Sequence, residues 1–177
     1  MKKLWIIGML MSLGLMSWAQ TKTIPVNEKT EKITFQGVIQ VEGSQAELYE
    51  RCVNTWLGKA YKNPNGVVES KSADENRIKG KHVIYMDCSD AVKSNCPIVN
   101  YKFTVETRDG RVRYTLTDFT LKAQSLFPIE IWMDKEDKRY IKAWDDYLDQ
   151  IATFAEDWAA TLETAIQPAE VFEEEEW

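Results

Sequence analysis

Ile33, Phe35, Ile39 and Val41 alternate with Thr34, Gln36, Gln40 and Glu42, the period of a half-buried strand, with Gly37 as its weak point and Gly43 as its end. Ser44-Gln45-Ala46-Glu47 then forms a capping box, in which the serine and the glutamate three residues on satisfy each other's orphan backbone N–H groups. Behind it Leu48, Tyr49, Cys52, Val53, Trp56, Leu57 and Ala60 follow helical spacing and make one apolar face. Asn63-Pro64-Asn65-Gly66 is a turn. Four further strands are predicted over residues 67–72, 77–87, 97–108 and 111–121. After Pro128 the period changes. Ile141, Trp144, Leu148, Ile151, Ala155, Trp158 and Leu162 step by three and four over about six turns, a long helix that Asp134 and Asp137 could cap and Pro168 stops.

Two devices predict register. Asp109-Gly110 is a strong hairpin signal, since a type I′ turn needs φ > 0 at both central positions. If Arg108 faces Arg111, then Val105 meets Tyr114, Phe103 meets Leu116, Thr104 meets Thr115 and Glu106 meets Arg113, so like polarity pairs and opposite charges meet. A disulfide between Cys88 and Cys96 would set Tyr85 against Val99 and Val83 against Tyr101. Both registers put the same residues on one face, which favours that disulfide over three free thiols, with Cys52 left as a buried thiol.

The order is β-α-β-β-β-β-α, and the predicted fold is a two-layer α+β sandwich with both helices on one face of an antiparallel sheet. Ile33, Phe35, Val83, Tyr85, Val99, Tyr101, Phe103, Val105, Val112, Tyr114 and Leu116 are its expected sheet core. Residues 33–166 make this domain; 20–32 read as a leader and 167–177 as an acidic, disordered tail. Phe35 to Val41, Glu47-Leu48-Tyr49 with Trp56, Ile78-Lys79-Gly80 and Asp109-Gly110-Arg111-Val112-Arg113-Tyr114 together resemble a family of secreted proteins, mainly from Bacteroidetes. That family is a domain of unknown function with a fold like the TATA-binding protein. The resemblance covers about residues 33–121 and implies the fold, but no catalytic residues.

Composition and charge narrow the function. With 44% hydrophobic and 28% charged residues the chain is globular in type, not collagen-like, disordered or a polytopic membrane protein. Lys2 and Lys3, the apolar run from Leu4 to Met16 and the small residues Ser17 and Ala19 read as a signal peptide over residues 1–19, cleaved near Ala19; the run is too short for a membrane span. Removing its two lysines from 22 basic residues leaves 20 against 28 acidic ones, a net charge of −8, which argues against a nucleic-acid partner. The expected product is periplasmic or extracellular, with no membrane span.

His82 is the only histidine, and no GxSxG motif, CxxC pair or metal-ligand spacing stands beside it, so no enzyme, cofactor or metal is expected. The second register sets His82 beside Lys102 on the sheet face away from the helices. That face is expected to carry Ile78, Asn100, Lys102, Thr104, Arg111, Arg113, Thr115 and Thr117 as well, with Ile84, Met86, Ile98 and Phe119 forming an apolar end beside a polar, basic one. Such a patch either binds something or is covered by the leader or by residues 126–132. The leading reading is a non-enzymatic binding module of the bacterial envelope. Lys102, Arg111 and Arg113 would take an anionic group, and Phe119 and Ile84, with His82 nearby, an apolar one; the partner is a protein or a small anionic or amphipathic ligand. The alternatives are a subunit of an exported assembly that uses the long helix as its seam, and an enzyme with a pocket between sheet and helices.

Overall fold

The computed structural model describes residues 22–88, 96–122 and 127–168. The expected signal peptide and the acidic run Glu173 to Glu176 lie outside the described residues. The α+β sandwich is found. Strands β3 (Phe35–Gln40), β4 (Val68–Ser72), β5 (Arg77–Tyr85), β6 (Ile98–Arg108) and β7 (Arg111–Leu121) form one antiparallel sheet in the order β3-β7-β6-β5-β4. The leader is more structured than expected. Its β1 (Val26–Asn27) and β2 (Lys32–Ile33) pair as a small hairpin, whose turn is held by Asn27 Oδ1 accepting from the N–H groups of Lys29 and Thr30.

Ser44 and Glu47 make the capping box that starts α1 (Gln45–Arg51). The helix continues through a π-helical turn, Cys52–Trp56, into α2 (Leu57–Ala60). Leu48, Cys52, Trp56 and Leu57 stay on the buried side. Burial pushes the Cys52 thiol up to about 12. Long helix α3 (Ala143–Ala165) buries Leu148, Ile151, Ala155, Trp158 and Leu162 in the chain's own core. Its apolar seam is thus occupied, and the assembly reading loses the surface it invoked. Between sheet and helices, Trp56 lies edge-on to Phe103 at 5.6 Å and to Trp158 at 5.1 Å, so the interlayer space proposed for an enzyme pocket there is filled by packed rings. Asp134 and Asp137 do not cap α3. Their carboxylates accept from the N–H groups of Glu136 and Arg139 in turns ahead of it, and Ile141 is left exposed.

The β6–β7 register is the expected one from Arg108 opposite Arg111 to Phe103 opposite Leu116. The β5–β6 register is not. Tyr85 faces Ile98, His82 faces Tyr101 and Arg77 faces Glu106, one residue away from the disulfide-based expectation. Cys88 and Cys96 are nevertheless bonded, with Cα atoms 5.8 Å apart. A one-residue slip exchanges the faces of a strand. Ile78, Ile84 and Met86 are therefore core residues, while Tyr85 is 70% exposed and Val83 lies outside. The physical reason is charge: the expected register would have turned Lys79 and Lys81 toward the helices.

A second correction comes from a bulge in β7. Between Asn100 and Lys102 the pairing shifts by one residue, and Asp118 takes φ 55°, a left-handed conformation that aspartate tolerates better than most residues. Phe119 consequently turns inward, 1% exposed, edge-on to Phe35 at 5.8 Å. Residues Ile129–Met133 form a 3-10 turn on the helix side, with Trp132 stacked on Trp144, and do not supply the expected cover of the open face.

Asp118 also ties the leader to the sheet, since its carboxylate pairs with Lys32 and, at 2.9 Å, with Lys102. The Lys32 hydrogen bond first, and Lys102 after it, hold its carboxyl below the usual range against the opposing effect of burial. A depressed pKa means that the unfolded chain binds more protons, so this contribution is present above about pH 4 and is lost as the pH falls below it. Asp118→Asn keeps the left-handed preference and is expected to cost about 0.5–1 kcal/mol near neutrality, discounted for the exposed lysines. In urea titrations the gap to wild type should close toward pH 2, and a gap independent of pH would show that the ion pairs contribute nothing.

Candidate anion site at the hairpin end of the open face

Outside the helix layer the sheet is polar, and its charge is organised in rows across the strands. Arg77 on β5, Glu106 on β6 and Arg113 on β7 stand opposite one another in register, with Val38 of β3 next in line. Glu106 accepts from Arg77 Nε at 3.1 Å and from Arg113 Nε at 2.9 Å. Burial works against its charged form, but Arg113 and then Arg77 outweigh it and hold the carboxyl below the usual range. Glu75 adds a second carboxylate to Arg77 at 2.8 Å.

One row nearer the turn, Arg108 faces Arg111 directly. Like charges opposed across strands destabilise a hairpin. Neither guanidinium has a carboxylate partner among the described residues. The two rows frame a recess of about 400 Å³ lined by Arg77, Arg108, Arg111 and Arg113, by Glu75 and Glu106, and by Val38, Gln45 and Thr107. Four guanidinium groups against two carboxylates leave two positive charges. Planar guanidinium donors match carboxylate and phosphate oxygens in paired, charge-assisted hydrogen bonds. The floor is rigid: Gln45 N donates to Asp109 Oδ1 at 2.7 Å, and Thr107 Oγ1 donates to Gln45 O at 3.0 Å, tying the start of α1 to the hairpin.

The residues expected to bind are divided by this geometry. Arg111 and Arg113 line the recess. Lys102 is on the same face but is engaged by Asp118, whose hydrogen bond raises its pKa. Ile84 and Phe119 are in the core and offer no apolar half-site. His82 lies at the rim of the helix-side layer, with Tyr61 at 5.4 Å and Tyr101 at 6.4 Å, and its partial burial lowers its pKa. The apolar contact beside the arginines is instead Val38, 52% exposed. Arg108 was in view from the hairpin register alone, as the residue opposed to Arg111. Arg77 needed the correct β5 register. No group of three or more His, Cys, Asp or Glu among the described residues could hold a metal ion, and no described helix is long and apolar enough to cross a membrane.

Residues 35–122, the sheet with α1 and α2, match the family described as a domain of unknown function (DUF4468) with TBP-like fold. Two solved structures resemble the whole sandwich. A TBP-like protein from Parabacteroides distasonis superposes with a TM-score of 0.65 at 17% identity, over 83% of this chain and 99% of that one. A DUF4468 family protein from Bacteroides ovatus gives a TM-score of 0.61 at 20% identity, over 84% of this chain and 93% of that one. At these identities the likeness is one of fold. Among curated proteins none matches the chain.

Proposed function

Because the chain belongs to the DUF4468 family, whose TBP-like fold carries no assigned activity, we propose its function from its surface: a non-enzymatic binding module that captures a carboxylate- or phosphate-bearing ligand in the arginine recess. One observation carries the reading. Arg108 and Arg111 oppose each other without a carboxylate partner among the described residues, an arrangement that weakens the hairpin and is useful when an anion sits between them. Export to the bacterial envelope belongs to the same proposal. It is supported by the Lys2-Lys3 start, the apolar run ending before Ala19, and the Cys88–Cys96 disulfide, a bond that persists outside the reducing cytosol.

The test separates binding from stability. Arg108→Gln and Arg111→Gln together should reduce binding of inorganic tripolyphosphate and citrate, measured by calorimetry, by at least tenfold. The same substitutions relieve like-charge repulsion, so the melting temperature should hold or rise. Loss of stability with unchanged anion affinity would make the arginines structural and end the proposal.

A further inference from the structure

We propose that the outer edge of β3 takes up an extended peptide as an added strand, with acidic side chains at alternate positions laid into the arginine recess. This rests on the recess being an anion site and names the ligand that carries the anion. The sheet has two edges, β3 and β4, and they differ. Strand β4 carries Glu69 and Lys71, and its pairing with β5 is broken by a register shift between Val68 and Ser70. Charges and bulges of this kind keep other strands from adding to an edge. Strand β3 carries no charged side chain, and its register with β7 is unbroken from Phe35 to Gln40. One edge is guarded and the other is not.

Backbone direction makes the unguarded edge a template. Val41 N donates to Gly110 O on the β7 side, whereas Thr34 N donates outward to Pro25 O of the leader. Because the direction alternates along a strand, the N–H and C=O groups of Gln36, Val38 and Gln40 also point away from β7. The leader does not cover them: Lys22 Nζ already reaches α3, 2.6 Å from Glu156 Oε2 and 3.0 Å from Thr153 Oγ1. Among the described residues no backbone group closes the edge from Gln36 to Gln40.

The side chains of the same three residues lie on the open face. Val38 is opposite Arg113 and lines the recess, and Gln40 is opposite Arg111. A strand added beside β3 would run about 10 Å from β7, two strand spacings, with alternate side chains on the recess side. Glutamates opposite Val38 and Gln40 and the arginines beyond, leaning toward each other over β3, span that distance. Main-chain hydrogen bonds would supply affinity and the two carboxylates selectivity, as in other cases of strand addition. Charge decides the occupant: a second copy presenting its own β3 would bring no carboxylate and would add its arginines to the same strip.

The probe is acetyl-Glu-Val-Glu-Val-Thr-amide, which in antiparallel pairing sets its glutamates opposite Gln40 and Val38 and its threonine opposite Gln36. Calorimetry should find it at least tenfold tighter than the analogue with glutamine in place of both glutamates. The same margin is expected over an analogue N-methylated at both glutamates, which keeps its carboxylates but cannot donate to β3. Gln36→Pro removes one outward N–H away from the recess, a substitution that edge strands tolerate. It should weaken the peptide at least fivefold and leave tripolyphosphate affinity unchanged. Hydrogen exchange needs no variant: the amides of Gln36, Val38 and Gln40 should exchange fast in the free protein and slow at least tenfold with the peptide, but not with tripolyphosphate. Equal affinity for the parent and N-methylated peptides, or no peptide binding where tripolyphosphate still binds, would overturn the inference and leave the recess reading intact. Absence of binding by both peptide and tripolyphosphate would remove the two together. Edge amides already protected in the free protein would overturn the inference as well, assigning the edge to a second copy if protection grows with protein concentration and to the chain itself if it does not.

Discussion

Trp56→Ala is expected to destabilise the fold by about 3–5 kcal/mol. The indole is fully buried in the π-helical turn and is edge-on to Tyr61 at 6.0 Å, Phe103 at 5.6 Å and Trp158 at 5.1 Å, so it joins the first helix, the sheet and α3 at one point. Removing it leaves a cavity whose walls are themselves large rings. They cannot collapse into it without losing their own contacts. Its Nε1 has no hydrogen-bond partner among the described residues, whereas Trp158 Nε1 donates to Tyr61 Oη at 2.8 Å. Trp56→Phe therefore sacrifices no polar contact and should cost less than half as much as alanine. Urea unfolding of the two variants checks this. A similar loss for phenylalanine and alanine would mean that the indole N–H matters after all.

Gly80→Ala should cost about 2–3 kcal/mol by overpacking, although alanine is otherwise favoured over glycine in a strand. Gly80 points inward on β5 opposite Phe103. A Cβ there would meet the Phe103 ring, with Cε1 at 2.6 Å, and the carbonyl oxygen of Val67, also at 2.6 Å. Neither neighbour can yield. The Phe103 ring is stacked on Tyr61 at 5.6 Å, and Val67 O is held by the N–H of Lys81 at 2.9 Å. The same substitution at Gly58, in α2 with open space around it, should instead stabilise by about 0.5–1 kcal/mol. Opposite signs for the two glycine variants in thermal unfolding are the expected result; destabilisation at both would point to backbone needs at Gly58.

The layered fold was legible because its strongest signals are local. The capping box at Ser44, the turn at Asp109-Gly110 and the step of three and four along α3 each depend on a few neighbouring residues. Face assignment on β5 was harder, since the disulfide brackets a loop that need not close symmetrically and therefore does not fix register. Arg77, Lys79 and Lys81 held the missing information: odd positions carry the charges, so even ones enter the core. The bulge also left a trace. Apolar positions in β7 are even through Val112, Tyr114 and Leu116 and odd at Phe119 and Leu121, and the break falls at an aspartate, one of the few residues at ease with φ > 0. The recess itself required three strands in correct register and was visible only in part, as Arg111 and Arg113.

If the recess captures an anion as proposed, the opposed pair Arg108 and Arg111 would make the hairpin tip a gauge of occupancy. An anion that binds only the folded chain adds RT ln(1 + [L]/Kd) to stability, about 2.7 kcal/mol at a hundredfold excess over Kd. Because the repulsion it cancels is confined to the tip, the gain should concentrate there, slowing the local openings that expose amides near Gly110 before it slows global unfolding. Ligand concentration would then be written into the lifetime of one turn.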